Sequence, residues 1–511
     1  MPLALGLITL IGLVLRLHLY GRSLLGDELS TLWIVQNHNL LDTVRVVGTN
    51  AEITPPLSFI LSWFTTRLGD APELVRLPSL IAGTATIPLV YLLGRKAVGT
   101  GAGLVGAAVF ALSPFTTYFA ANGRGYAVML LLLAGSTLVM LRGIETSKPV
   151  WWVVYGALSA LAMYSHYTAA FVLLAQLGWL FVLYPESRIA ALVANGFAAL
   201  LYLPWIPKVM TDFDSPTTDV MEALQGSGLE SKLESLVQWV FGHQLFDISV
   251  FPGTAILLVT AAGVLLALGF VIFSRRARSG IEAAPLRGGF VLLVTIAVAT
   301  PLAEALLLVI GTDLFGSRNM TASWYGLAPL IGALVVLPGG VVTLVSGALV
   351  LGGFGASAVK LWGDSGNLVA AKEVAGAIDE EAGPGDVVVD SFVASDTPTP
   401  LTPLKAHMNN DLPYFALGMP EGPPPFLPFV TQITPPSEKL DQAFGEARGV
   451  IFLRVPTGVA VVEGKPGKPV SQDNYLAERR LVLPAGAKIE SEESFPAFKG
   501  SDLYVIDPGE D

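Results

Sequence analysis

Long apolar runs constrain this chain more than anything else in it. A helix needs roughly 17 to 25 apolar residues to cross a bilayer. Runs of that kind recur near 2–20, 75–94, 101–121, 125–141, 150–165, 166–184, 189–206, 252–273, 289–311, 323–338 and 340–359. Eleven spans are therefore expected in the first 359 residues, followed by a tail without such a run. Charge divides at the same place. Residues 1–359 carry 18 Lys/Arg against 18 Asp/Glu and residues 360–511 carry 12 against 23, so the whole net charge of −11 belongs to the tail. The expected fold is a polytopic α-helical membrane protein of about 11 transmembrane helices (1–359) with a soluble, extracytoplasmic C-terminal α/β domain (360–511).

Orientation follows from where Lys and Arg fall, because short cytoplasmic loops are enriched in both. Arg95 and Lys96, Arg142 and Lys148, Arg188, and the group Arg275, Arg276, Arg278 and Arg287 occupy alternate loops, which predicts that these are cytoplasmic. The first run has no small-residue cleavage site and is interrupted by Arg16 and His18, so it reads as a retained anchor with a cytoplasmic N-terminus. The outer loops are then 21–74, Asn122–Arg124, Ser165–Tyr167, 207–251 and Asp313–Arg318, together with the tail. Counting Ile53–Thr66 as a crossing would invert every later basic loop. Its length of about 14 residues behind two prolines predicts a short interfacial or re-entrant helix instead.

Within 207–251, Leu229, Leu233, Leu236, Val237, Val240 and Phe241 recur at helical spacing, which predicts an amphipathic helix that covers a groove or simply rests on the membrane surface. The tail alternates a helix near 367–380, a strand at Val387–Val389, a helix near 437–447 and a strand at Val450–Leu453, with a proline-rich loop from Pro398 to Pro436 between. That alternation predicts a small domain with a mainly parallel sheet. His407 stands isolated in the sequence and no glycine-rich phosphate loop opens a helix, so the tail is expected to carry partner or acceptor contacts rather than chemistry. A chain with no cysteine has no disulfide, thiolate metal site or cysteine nucleophile, and an acidic tail on a charge-balanced body offers no basic stripe for nucleic acid.

Chemistry is sought among the outer-loop charges. Asp27 and Glu28, in Gly-Asp-Glu-Leu-Ser, follow the first span by a few residues. An isolated pair of this kind is ordinarily a solvated turn. Arg124 in Ala-Asn-Gly-Arg-Gly-Tyr, His166 in Tyr-Ser-His-Tyr and Arg318 in Gly-Ser-Arg-Asn fall at the same outer level, where a lone arginine ordinarily anchors to lipid headgroups. Two carboxylates and two guanidiniums on one face form another kind of set. It supplies a base for an incoming hydroxyl and fixed positive charge for a departing phosphate.

The succession Leu-Gly-Asp-Glu-Leu-Ser at 25–30, Glu-Ile-Thr-Pro-Pro-Leu at 52–57, Val-Arg-Leu-Pro-Ser-Leu at 75–80, Ile-Pro-Leu-Val-Tyr-Leu-Leu-Gly-Arg at 87–95 and Ala-Leu-Ser-Pro-Phe at 111–115 resembles glycosyltransferase family 39 of the C superfamily. Protein O-mannosyltransferases and the lipid A aminoarabinose transferase are relatives in that group. The resemblance runs from about residue 10 to 170 and returns near Arg318. It implies a multi-spanning enzyme that moves a sugar from a polyprenyl phosphate to an acceptor hydroxyl on the non-cytoplasmic face, with the acidic pair of the first outer loop, here Asp27 and Glu28, in a working role. Two departures stand out. Asn122 and Gly123 occupy positions where many relatives place an acidic residue before the arginine, and Asn319 follows Arg318 where others have tyrosine. With that carboxylate absent, no metal site is assigned and no resident cofactor is expected, and a divalent cation stays open as an addition.

In this reading Asp27 is the general base and Glu28 positions the acceptor, while Arg124 and Arg318 bind the donor phosphate. Glu52, His166 and Tyr126 complete the substrate site. The partners are a polyprenyl phosphate sugar donor, mannose by default, an acceptor that is glycan, lipid or protein, and membrane lipids. The rival class is a transporter or lipid flippase of the cell envelope, which calls for internal repeats and midplane charges; neither is seen in the sequence. A non-catalytic envelope assembly protein is a third reading.

Overall fold

The computed structural model describes residues 2–49, 52–213, 215, 226, 228–363, 367–391, 401–418, 434–465 and 474–509. Residues 398–400 and 419–433 of the expected proline-rich loop, and 214, 216–225 and 227 of the expected outer loop 207–251, lie outside them. The chain divides into two compact units, the first made of residues 1–20, 38–69 and 74–362, the second of 21–37, 70–73 and 363–511.

The first unit is helical. Its helices are α1 (Pro2–Tyr20), α3 (Leu40–Val47), α4 (Leu57–Thr65), α5 (Leu77–Ala97), α6 (Thr100–Leu112), α7 (Pro114–Ala120), α8 (Tyr126–Thr146), α9 (Pro149–Ser165), α10 (Ala169–Leu183), α11 (Arg188–Tyr202) and α12 (Ile206–Phe213), with α2 (Asp27–Asn37) in the second unit. They continue as α13 (Leu229–Phe241), α14 (Thr254–Phe273), α15 (Arg275–Glu282), α16 (Gly289–Val309), α17 (Trp324–Val336) and α18 (Gly340–Trp362). Among the described residues eight helices are long and apolar enough to cross a membrane, or nine if α6 and α7, bent by 64°, form one span. The expected count of eleven is not reached by this measure, because α9 and α10 have 17 and 15 residues. At about 1.5 Å per residue, α10 falls short of a hydrocarbon core of about 30 Å. The nine residues of α4 are also too few to cross.

Close helix contacts are built on small residues. A Cβ at Gly106 would lie 2.6 Å from Pro329 Cα, and one at Gly332 would lie 2.3 Å from Ala102 O, so α6 and α17 approach to backbone distance. Gln176 joins three helices by donating to Thr137 Oγ1 at 2.7 Å and to the Tyr325 hydroxyl at 2.5 Å. Arg16, fully buried, explains how the chain tolerates the bend between α6 and α7: its guanidinium donates to Phe110 O and Ala111 O, both at 3.3 Å. These carbonyls belong to the last turn of α6, where no intrahelical donor follows.

The amphipathic helix expected in 207–251 exists as α13, but it is rotated from the expected stripe. Leu236, Val240 and Phe241 pack against the core, Leu229 and Leu233 stay exposed, and Lys232 and Trp239 are the buried residues.

The second unit holds a five-stranded sheet in the order β2-β1-β3-β7-β6, from β1 (Val387–Asp390), β2 (Tyr414–Ala416), β3 (Ile451–Pro456), β6 (Lys488–Phe495) and β7 (Ser501–Asp507). A separate parallel pair joins β4 (Ala460–Gly464) to β5 (Arg480–Ala485). β1 pairs parallel with β2 and β3, whereas β7 runs antiparallel to β3 and β6, so the sheet is mixed where a mainly parallel one was expected. The antiparallel part comes from the two C-terminal strands, beyond the expected elements: β7 is mostly buried, and β6 is an edge strand whose run Lys-Ile-Glu-Ser-Glu-Glu-Ser-Phe shows little apolar alternation because most of it faces solvent. Strands β1 and β3 are buried along nearly their whole length, matching the continuous apolar runs read from the sequence. Helices α19 (Ala371–Glu381) and α20 (Pro436–Glu446) fall where helices were expected.

Residues 21–37 and 70–73 pack with the tail. The Lys372 backbone N–H donates to Ser23 Oγ at 3.0 Å, its ammonium donates to Gly21 O at 3.2 Å, and Lys372 forms an ion pair with Glu73. His407, isolated in the sequence, accepts the Leu24 N–H through Nε2 at 3.1 Å.

Candidate active site

The turn between α7 and α8 sets the first functional side chain of the helical unit. Gly125 is required there, since a Cβ at this position would sit 2.3 Å from Ser165 O. The turn is thus pressed onto the end of α9, and Ser79 Oγ donates to Arg124 O at 3.0 Å. Held this way, Arg124 Nη2 donates to Glu52 Oε2 at 3.1 Å and to Thr54 Oγ1 at 3.3 Å. The guanidinium also lies 5.4 Å from the centroid of the Phe59 ring. Arg124 and Glu52 are 7% and 6% exposed, so the pair is desolvated and its attraction is correspondingly strong.

His166 follows α9 directly. Its ring lies 4.7 Å from that of Tyr126, and its Nδ1 lies 3.0 Å from Thr168 Oγ1 and 3.3 Å from the Thr168 backbone nitrogen. The charges of Arg124 and Arg318 both act on His166. The structure therefore brings Glu52, Arg124, Tyr126, His166 and Arg318 into one region of the helical unit. Arg318 sits just ahead of a short 3₁₀ turn, with Thr321 Oγ1 donating to Arg318 O at 2.5 Å.

Asp27 and Glu28 open α2 in the second unit. Gly26 takes a left-handed φ of 59°, and the Leu29 N–H closes the entering turn on Gly26 O at 3.0 Å. Asp27 is exposed and Glu28 buried, so two adjacent carboxylates have unlike surroundings. Both lie in the first turn of the helix, where its dipole favours negative charge.

One site residue went unnoticed in the sequence. Asp212, at the end of α12, accepts a hydrogen bond from the Tyr167 hydroxyl, which in turn accepts from Trp205 Nε1 at 3.2 Å, and it lies close enough to Glu52 for the two charges to interact. The signal was available, since Asp212 follows an apolar span by a few residues, as Asp27 does. Among the described residues no three His, Asp or Glu side chains converge on a position for a metal ion.

Residues 54–209 match the sequence profile of the dolichyl-phosphate-mannose-protein mannosyltransferase family. No curated protein matches the chain. Among solved structures, ArnT from Cupriavidus metallidurans bound to undecaprenyl phosphate is similar with a TM-score of 0.55 at 12% identity, over 99% of this chain and 99% of that one. The oligosaccharyltransferase AglB from Archaeoglobus fulgidus, in complex with an inhibitory peptide and a dolichol-phosphate, gives a looser likeness, 0.47 at 13% identity over 88% and 69% of the two chains. Residues 54–209 are thus similar to that family and the fold of the whole chain is like that of ArnT, in a chain whose long apolar helices mark an integral, multi-spanning membrane protein. The resemblance to the mannosyltransferases read from the sequence is thus shown for residues 54–209, which include Arg124, Tyr126 and His166.

Proposed function

We propose that this protein transfers a sugar, mannose by default, from a polyprenyl phosphate to an acceptor hydroxyl on the non-cytoplasmic face. The observation that carries this reading is the buried Glu52–Arg124 pair, with the charge of Arg318 bearing on the same His166, in a fold like that of ArnT. The acceptor oxygen attacks the anomeric carbon as the bond from that carbon to the phosphate oxygen breaks, in one inverting displacement. The acceptor proton passes to Asp27, a role that rests on the residue pattern of the first outer loop. Polyprenyl phosphate departs with an added negative charge, which Arg124 and Arg318 stabilise. Glu28 positions the acceptor, Glu52 holds Arg124 in place until phosphate arrives, and His166 and Tyr126 line the donor. No step is routed through a divalent cation. Neither the profile match nor the fold favours the transporter reading.

An odd number of crossings, nine or eleven, sets the two ends on opposite faces, and the basic loops then place the N-terminus in the cytoplasm and the tail outside. A reporter fused after residue 359 should be outside and one near Arg276 inside, and the same side for both would overturn this topology. The chemistry is tested with the full chain in lipid and polyprenyl phosphate mannose as donor. Asp27→Asn is expected to slow transfer by about 100- to 10,000-fold, with folding and donor binding nearly intact. Near-normal turnover would remove Asp27 from the role of base.

A further inference from the structure

Helix α13 turns a lysine inward at the expense of two leucines, and the lysine has a specific destination. Lys232 Nζ lies 2.6 Å from both carboxylate oxygens of Asp313, and the two residues are 6% and 7% exposed. Asp313 is the start of the short irregular segment that ends at Arg318. Its Oδ1 also accepts the Phe315 N–H at 3.2 Å, and Glu304, fully buried on α16, accepts the Gly316 N–H at 3.2 Å. Asn319 Nδ2 closes the segment on Leu314 O at 2.7 Å. Beyond Arg318, Thr300 Oγ1 donates to Met320 O at 3.0 Å and Trp324 Nε1 donates to Trp239 O at 2.8 Å. Helix α13 thus grips the chain on both sides of Arg318, through Lys232 before it and Trp239 after it.

A buried ammonium–carboxylate pair contributes little stability over an apolar pair of the same volume. What such a pair does specify is register. We propose that Lys232 is a positioning residue for Arg318, and that α13 is a clamp holding residues 313–319 so that the Arg318 guanidinium meets the donor phosphate. The phosphate part of this inference rests on the function proposed above. The clamp accounts for the rotation of α13, because burying Leu229 and Leu233 would carry Lys232 away from Asp313.

The test uses the full chain in lipid with undecaprenyl phosphate as the probe and hydrogen exchange of residues 312–319 as an independent readout. Lys232→Met should speed exchange in that segment, weaken undecaprenyl phosphate binding about tenfold, and lower kcat/KM for the donor by at least as much. Lys232→Arg should restore most of the loss, and Asp313→Asn should reproduce it from the other side of the pair. In an Arg318→Ala background, Lys232→Met should cost no further affinity, because two residues acting through one contact are not additive. Unchanged exchange in both Lys232→Met and Asp313→Asn, or fully additive losses, would overturn the clamp. If Arg318→Ala by itself binds undecaprenyl phosphate like the parent, the phosphate role of Arg318 is what fails, and the inference falls with it by a different observation.

Discussion

Among the described residues two buried arginine–carboxylate pairs of the same chemistry stand in unlike backbone. In the sheet unit Arg454 Nη1 donates to Asp390 Oδ1 at 2.9 Å, and these residues are direct partners in the β1–β3 ladder. The Tyr414 hydroxyl donates to Asp390 Oδ2 at 2.5 Å, and Arg454 Nε donates to Ser501 Oγ at 3.0 Å. Burial and the Asp390 charge push the Tyr414 hydroxyl well above its ordinary pKa, so it remains a donor. In the helical unit Arg124 and Glu52 come instead from segments between helices, and their positions are set by side-chain and close-packing contacts. The ladder pair is a knot, since strand pairing fixes both backbones and Tyr414 and Ser501 hold both side chains. A pair mounted between helices is free of that constraint, which is what the proposed phosphate role of Arg124 requires.

The largest effect expected from this contrast is in the sheet unit. Asp390→Asn leaves a buried guanidinium without its counter-charge and should destabilise that unit by about 3–5 kcal/mol, read as a lowered denaturation midpoint and lost exchange protection in β1 and β3. A midpoint equal to the parent's would show that the knot is not one. Next comes Arg124→Lys, which keeps the charge but not the planar fork. Donor KM should rise about tenfold while the stability midpoint moves by less than about 1 kcal/mol. A stability loss as large as that of Asp390→Asn would erase the distinction between the pairs. Arg318→Lys should act in the same direction and more weakly, since Arg318 is less buried than Arg124. Smallest of all, Arg276→Lys on an expected cytoplasmic loop should leave donor KM unchanged and stability within about 0.5 kcal/mol. If Arg124, Arg318 and Arg276 respond alike, the outer arginines are membrane anchors rather than phosphate ligands.

Legibility followed the range of each interaction. The apolar spans, the inward-facing runs of β1 and β3 and the motif succession from Leu25 to Phe115 are local patterns, and each was readable. Lys232 was not. On a helix whose apolar stripe reads Leu229, Leu233 and Leu236, a lysine just before Leu233 looks like part of the solvated face, and only its partner on another segment turns it inward. Asp212 was passed over because a carboxylate after a span is ordinarily solvated, and its enclosure depends on Tyr167 and Trp205. The edge strand β6 was missed for the opposite reason: with most of its residues in solvent, it carries little periodic signal.

Sequence by itself determined that this chain is built mainly of membrane-length helices with an acidic domain behind them. The bilayer forces that outcome locally, because a backbone without water must satisfy its hydrogen bonds within each segment, so apolar length suffices as a signal. Tertiary structure decided which charges meet. Glu52 and Arg124 are 72 residues apart in the chain, Lys232 and Asp313 are 81 apart, and their pairing depends on how helices pack rather than on any neighbour in sequence. The same holds for residues 21–37, whose hydrophobicity does not announce that they fold with the tail. Coulomb attraction acts through space and hydropathy acts along the chain, so the fold class could be read directly while the site had to be assembled.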